Sequence, residues 1–307
     1  MKISIMGAGA VGSYIGHKLA QIRVNATLIA RGSHLESMQK NGLYLETNDG
    51  VKLVPVKATD SIESIKNSDL IIYTVKTYHN DDVAKQISKY INPYAKVLCL
   101  QNGITSWKDL ENIIGKNTII PGLMYIEAQM KKPGYVNQQG NVVDIVFGSI
   151  DSSQSDVVHK MSDIFSKAQI PFTETKNILS EIWKKWFFIA VLAGMTCAFN
   201  TNIKSVLANT QTHEILKQCM KEIEEIGIKK GYQNGSSITE SIYQYLIDES
   251  DDLIASMKLD LDNKKEIEID ALSGAVIKLA EETKTDCPAN LDIYNRINIL
   301  YNNYSQD

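Results

Sequence analysis

The sequence predicts an α/β protein. An N-terminal Rossmann-type doubly wound sheet covers residues 1–174, and an all-α domain covers residues 175–307. Three observations carry this expectation. Short β-rich apolar runs alternate with helical segments through the first half, the pattern of a parallel sheet covered on both faces. The run Gly7-Ala8-Gly9-Ala10-Val11-Gly12 stands between the first apolar run and the first helical segment, where a dinucleotide-binding turn belongs. After Pro171-Phe172-Thr173 the β-rich runs all but vanish and helical periods take over.

Taken in order, residues 2–6 read as a strand, 10–21 as a helix and 26–30 as a second strand. Residues 43–46 and 51–56 flank Thr47-Asn48-Asp49-Gly50, whose composition signals a hairpin. Two buried strands follow at 70–75 and 96–100, each preceded by a helix. Further strands are expected near 118–125 and 142–147, and a helix near 155–168. The second half reads as helices over 178–198, 211–232, 237–257, 265–284 and 290–303. A cleft between the two domains, with bending near 170–178, is part of the same expectation.

Composition narrows the function classes. A 44% hydrophobic and 22% charged chain is ordinary for a globular protein. A formal net charge of −4 argues for neither nucleic acid nor an anionic membrane as partner. The longest apolar run, 186–199, falls short of the roughly 20 residues that span a bilayer. The opening residues lack the apolar core of a secretory signal, so a cytoplasmic location is expected. Four scattered cysteines and five histidines show no ligand spacing, and no metal site is expected.

The glycine loop carries chemistry because each glycine has a task. Gly7 permits the tight turn, Gly9 lets the backbone approach a pyrophosphate, and Gly12 lets helix and strand pack closely. Ala8, Ala10 and Val11 complete the loop, and the helix N–H groups face the phosphates. At the end of the second strand, Arg31-Gly32-Ser33 stands where an NAD-binding protein usually places an acid. A guanidinium pairs with a 2′-phosphate that an acid would repel, so the pattern favours NADPH. Lys76 in Val75-Lys76-Thr77 and Asn102 in Gln101-Asn102-Gly103 follow later strands, where such a sheet binds ligands. Read alone, Lys76 is equally a solvated lysine and Asn102-Gly103 a plain turn.

These residues, in this order, resemble the ketopantoate reductase (2-dehydropantoate 2-reductase) family. The resemblance extends through Trp183-Lys184-Lys185, Ser256-Met257-Lys258-Leu259-Asp260, Glu268-Ile269-Asp270-Ala271-Leu272-Ser273-Gly274 and Cys287-Pro288-Ala289-Asn290. It implies NADPH-dependent reduction of a 2-oxo acid, ketopantoate to pantoate on the route to coenzyme A. It implies Lys185 as the proton donor, with substrate contacts from Lys185, Asn102 and Ser256. Glu268 would contact the cofactor or the catalytic lysine, and Ala128 would be a further cofactor contact. Periodicity alone does not decide whether Lys184 or Lys185 faces inward.

One departure bears on the substrate. Four and eight residues after its lysine, the better-known form of the family carries asparagines; this chain has Ile189 and Ala193. Losing two amides removes hydrogen bonds that discriminate a polar substrate. A reductase of a more apolar 2-oxo acid is therefore the alternative, and an NADPH-binding sensor without turnover is a third reading. Asn200 and Asn202 lie nearby as substitute amides. Leu291, Ile293, Ile297, Ile299 and Leu300 in the last helix serve either a homodimer or an intramolecular face.

Overall fold

The computed structural model describes residues 1–251 and 253–304. Residue 252 of the expected helix 237–257, and residues 305–307 of the expected second domain, lie outside the described residues. The chain divides into two compact units. The first holds Met1–Gln101 and Ser106–Ile178; the second holds Asn102–Thr105 and the chain from Leu179 onward.

The first unit runs β1 (Ile3–Met6), α1 (Ala10–Gln21), β2 (Ala26–Ile29), α2 (Gly32–Asn41), β3 (Leu43–Thr47), β4 (Gly50–Val54) and β5 (Lys57–Thr59). It continues with β6 (Leu70–Tyr73), α3 (Asn80–Tyr90), β7 (Lys96–Cys99), α4 (Ser106–Ile114), β8 (Ile119–Lys132), β9 (Tyr135–Phe147), α5 (Ser155–Lys167) and β10 (Phe172–Glu174). One sheet has the order β4-β3-β9-β8-β7-β6-β1-β2-β5, with β10 on β9. From β5 to β8 every pairing is parallel.

Beyond β8 the sheet is mixed, with one antiparallel hairpin that the sequence predicts, β3–β4, and one that it does not, β8–β9. β8 and β9 form a long antiparallel hairpin, and β3 pairs antiparallel with β4. The expected strands at 118–125 and 142–147 are the inner arms of this hairpin. Its outer arms expose Glu127, Gln129 and Gln139 and bury Val136, Asn137 and Gln138. The outer β8 arm alternates Ile126, Ala128 and Met130, packed against the core, with exposed Glu127, Gln129 and Lys131, whereas Asn137-Gln138-Gln139-Gly140-Asn141 of β9 holds no apolar residue that would mark it as a strand.

Alternation along the central strands feeds two cores. Ile3, Ile5, Leu70, Ile72 and Leu98 join one cluster, whereas Met6, Ile71, Tyr73, Val97 and Cys99 join the other. Continuous apolar runs are thus read by a period of two, with helices closing each face. Each fully buried aliphatic side chain contributes about 1.5–3 kcal/mol.

The second unit contains α6 (Ile178–Ala198, whose first residue belongs to the first unit), α7 (Ile203–Ala208), α8 (Thr210–Lys230), α9 (Ser237–Asp248), α10 (Ser256–Asp262), α11 (Ala275–Thr283) and α12 (Pro288–Tyr304). The expected helix 237–257 is two helices, because α9 ends at Asp248 and α10 begins only at Ser256. The expected helix 265–284 opens instead with a π-helical turn, Asp270–Gly274. Helix α7 has no counterpart in the sequence reading. Its N-cap is Asn202, whose side chain accepts from the Ser205 N–H at 2.8 Å.

Glu222 ties this unit together. Its buried carboxylate accepts from the Ala289 and Asn290 backbone N–H groups at 3.0 Å each, and from Asn290 Nδ2 at 2.7 Å. The negative charge meets the positive end of α12, whose first residue is Pro288. The Cys287-Pro288-Ala289-Asn290 motif therefore has a structural task.

Candidate active site

The glycine loop is shaped by two close approaches. Gly7 has φ +87°, and a Cβ there would lie 2.8 Å from the Val75 nitrogen. A Cβ on Gly12 would lie 2.6 Å from the Gly7 carbonyl oxygen and 2.7 Å from Thr74 Oγ1. Thr74 Oγ1 donates to the Gly7 carbonyl at 2.7 Å, which binds the loop to the end of β6. Gly9 differs: a Cβ there would meet nothing nearer than the Gly7 oxygen at 4.0 Å.

No protein neighbour explains the missing side chain at Gly9, which is exposed at the N-cap of α1. The first turn of α1 carries no acid and no side-chain cap. Ala10 and Val11 are half-buried in that turn, while Ala8 is buried and donates its N–H to the Ile29 carbonyl at 2.9 Å. The result is an open set of N–H groups at a positive helix end, suited to a pyrophosphate.

Arg31 is exposed and forms the N-cap of α2. Lys76 is half-buried at the start of a short 3₁₀ turn, Thr77–His79. Ala128 lies half-buried on β8, in register with Gln138 of β9.

A buried amide network binds the loop after β7 to the loop after β6. Gln101 Nε2 donates to the Val75 carbonyl and to Asn80 Oδ1, both at 2.6 Å. Asn80 Nδ2 returns a bond to Gln101 Oε1 at 3.2 Å, and the Tyr73 hydroxyl donates to Asn80 Oδ1 at 3.2 Å. Sequence reasoning quoted Gln101 without giving it a role, and it missed Asn80. A single Asn at a helix start reads as ordinary turn chemistry, so no sequence signal marked it.

In the second unit, α6 sorts the lysine pair. Lys184 is exposed, whereas the Lys185 ammonium is buried. Two anchors fix this face. Trp183 Nε1 donates to Gln233 Oε1 at 2.7 Å, and Trp186 Nε1 donates to the Ala271 carbonyl at 3.0 Å. Gly227 makes room for the first indole, since a Cβ there would lie 2.3 Å from Trp183 Cζ2.

Lys185 Nζ donates to Asn102 Oδ1 at 3.0 Å. Burial lowers the Lys185 pKa from 10.5 to about 8, opposed in part by the Glu268 carboxylate. Glu268 is itself buried, two residues before the π-helical turn that supplies the Ala271 carbonyl. Lys185, Asn102 and Glu268 thus act on one another within this unit. An ammonium titrating near neutrality, with a hydrogen-bond acceptor fixing its direction, is equipped to donate a proton.

Ser256 is the exposed first residue of α10. Ile189 is half-buried and Ala193 buried on α6. The Asn202 carbonyl oxygen caps α7, and Asn200 is an exposed residue in the left-handed turn that ends α6, with φ +49°. On α12, Ile293 and Ile297 are buried, while Leu291 and Ile299 are exposed. Among the described residues no group of His, Cys, Asp and Glu could hold a metal, and no helix is long and apolar enough to cross a membrane.

Residues 3–152 match the family described as ketopantoate reductase PanE/ApbA, and residues 177–300 match its C-terminal domain. A 2-dehydropantoate 2-reductase of Pyrococcus horikoshii is 31% identical, over 94% of each chain. An uncharacterized oxidoreductase of Bacillus subtilis, YkpB, is 25% identical over 96% of this chain and 99% of its own. A PanE/ApbA family ketopantoate reductase from Ralstonia eutropha superposes with a TM-score of 0.91 at 23% identity, covering 99% of this chain and 100% of that one. D-mandelate dehydrogenase with NADH and anilino(oxo)acetate superposes with a TM-score of 0.88 at 20% identity, over 99% and 100% of the two chains. At these identities the structural likenesses bear on the fold.

Proposed function

The chain belongs to the ketopantoate reductase PanE/ApbA family and is an oxidoreductase, and on that premise we propose that it reduces 2-dehydropantoate to pantoate with NADPH, a step toward coenzyme A. The observation that carries the reading is the buried Lys185 ammonium, with its pKa at about 8 and its hydrogen bond to Asn102. The curated relative at 31% identity bears the name of that reaction.

The residues present fit the cofactor. Gly9 leaves open space beside the helix N–H groups, no acid lies in that first turn, and the Arg31 guanidinium is exposed for a 2′-phosphate. Lys76 and Ala128 are assigned as further cofactor contacts, and Glu268 as a contact of cofactor and lysine. When bound, NADPH supplies the hydride that the ketone carbon accepts.

Lys185 performs the other half of the chemistry. Its Nζ donates a hydrogen bond to the ketone oxygen, stabilises the charge that grows there, and passes the proton across. Asn102 orients Nζ by accepting one of its three N–H bonds. Glu268 keeps the amine protonated to higher pH than burial alone allows. Ser256 is assigned to the substrate carboxylate.

A second reading changes the substrate and keeps the chemistry. Ile189 and Ala193 offer no hydrogen bonds, and Asn202 serves as a cap. These features support a more apolar 2-oxo acid. Initial rates with 2-dehydropantoate, branched aliphatic and aryl 2-oxo acids, each with NADPH and NADH, decide between the readings. The first predicts the highest kcat/KM with 2-dehydropantoate and NADPH. Higher kcat/KM on an apolar acid selects the second. Tight NADPH binding without turnover on any acid overturns both in favour of a sensor.

A further inference from the structure

His34 lies in the first turn of α2, three residues after Arg31. Its Nε2 is 3.1 Å from Ser13 Oγ, and its Nδ1 accepts from the Gly134 N–H at 2.9 Å. Ser13 is fully buried and donates its own proton to the Ala8 carbonyl at 3.0 Å. The Ser13 oxygen therefore accepts from His34, and one tautomer satisfies every partner: neutral imidazole with its proton on Nε2. Burial lowers the His34 pKa, which keeps that neutral form.

The ring joins three segments: the glycine loop through Ser13 and Ala8, the start of α2, and the turn between β8 and β9. That turn makes a second bond to α2, where Ser37 Oγ donates to the Pro133 carbonyl at 3.1 Å. Leu35 and Met38 seat α2 in the core and the Ala30 N–H donates to the Thr59 carbonyl at 3.0 Å, but Arg31 and Gly32 themselves are held loosely. Arg31 provides no side-chain cap, Gly32 has no neighbour within 4 Å of its Cβ position, and the Leu35 N–H reaches the Arg31 carbonyl only at 3.5 Å.

We propose that His34 is the positioning residue that fixes Arg31 relative to the glycine loop, and so sets the preference for NADPH over NADH. This rests on the reading of Arg31 as the 2′-phosphate partner. NADH needs the glycine loop for its pyrophosphate. NADPH needs that loop and Arg31 at a fixed separation, which the His34–Ser13 contact provides.

The test is the Kd of NADPH and of NADH, measured by fluorescence titration on the full chain as wild type, His34→Leu, His34→Gln and Ser13→Ala. Loss of a buried hydrogen bond predicts NADPH binding about tenfold weaker in His34→Leu and Ser13→Ala, with NADH binding unchanged. Glutamine accepts from Gly134 and donates to Ser13, so His34→Gln restores the NADPH preference. An unchanged cofactor ratio in His34→Leu and Ser13→Ala, equal weakening of both cofactors, or failure of glutamine to rescue overturns the role of His34. A wild type without NADPH preference overturns the Arg31 reading itself, and His34 with it.

Discussion

The glycine loop at residues 7–12 presents backbone N–H groups and no reactive side chain, whereas Lys185 presents one reactive side chain held by Trp183, Trp186, Asn102 and Glu268. The first depends on what is absent: a Cβ at Gly7, Gly9 and Gly12. The second depends on what surrounds it, since burial moves the lysine from 10.5 to about 8. A backbone site carries no titrating group and is written in local spacing. A side-chain site inherits its chemistry from desolvation, which neighbours distant in sequence create.

The largest effect is expected at Lys185. Replacing it in Lys185→Met removes the proton donor, and kcat falls by about 10²–10⁴. NADPH affinity, measured by titration, stays near wild type because the glycine loop is intact. In the wild type the rate of reduction falls as pH rises through about 8, where Lys185 loses its proton. Stability follows the opposite sign. The folded pKa is below the unfolded one, so this residue's destabilising contribution is fully present below about 8 and fades as pH rises toward 10.5.

Arg31→Ala comes next. Loss of a charge-assisted pair costs NADPH about 10–100-fold in Kd and leaves NADH unaffected. A parallel loss for both cofactors removes Arg31 from the 2′-phosphate.

The glycines of the loop separate binding from stability. In Gly9→Ala the new methyl meets only the Gly7 carbonyl oxygen, at an unstrained 4.0 Å. Tm therefore holds while cofactor binding weakens about tenfold, or ~1.4 kcal/mol. In Gly12→Ala the methyl overlaps the Gly7 carbonyl and Thr74, costing about 1–3 kcal/mol of stability, read as a lower Tm. Equal Tm for the two variants contradicts the division of roles.

The smallest effect is at Glu268. Its carboxylate raises the Lys185 pKa, so Glu268→Gln moves the alkaline limb of the pH–rate profile to lower pH. A profile unchanged in position removes Glu268 from the electrostatics of the lysine.

Much of the first unit was legible because its signals are local. The predicted helix 10–21 is α1 as found, and Thr47-Asn48-Asp49-Gly50 is the turn between β3 and β4. The outer β9 arm was not legible, because Asn137-Gln138-Gln139-Gly140-Asn141 holds no apolar residue. The outer β8 arm does alternate, Ile126, Ala128 and Met130 against Glu127, Gln129 and Lys131, and the strand expected near 118–125 stopped short of it. Helix 237–257 read as continuous because Leu253, Ile254 and Met257 resume an apolar pattern after the polar run Glu249-Ser250-Asp251-Asp252, which marks the break. Among site residues, the face of the Lys184-Lys185 pair was undecided until the two indoles were placed. Asn202 read as a substitute amide because a helix N-cap and a site amide look alike before the helix it caps is known.

The sequence by itself determined the strand–glycine turn–helix unit and the arginine after the second strand, because steric room and backbone direction are set within a few residues. Tertiary structure decided which lysine is buried and how far its pKa falls. It also decided which asparagine caps a helix, and that His34 joins Ser13 to Gly134. Desolvation and hydrogen-bond partners come from segments up to 100 positions apart, as from His34 to Gly134, and no local pattern records them.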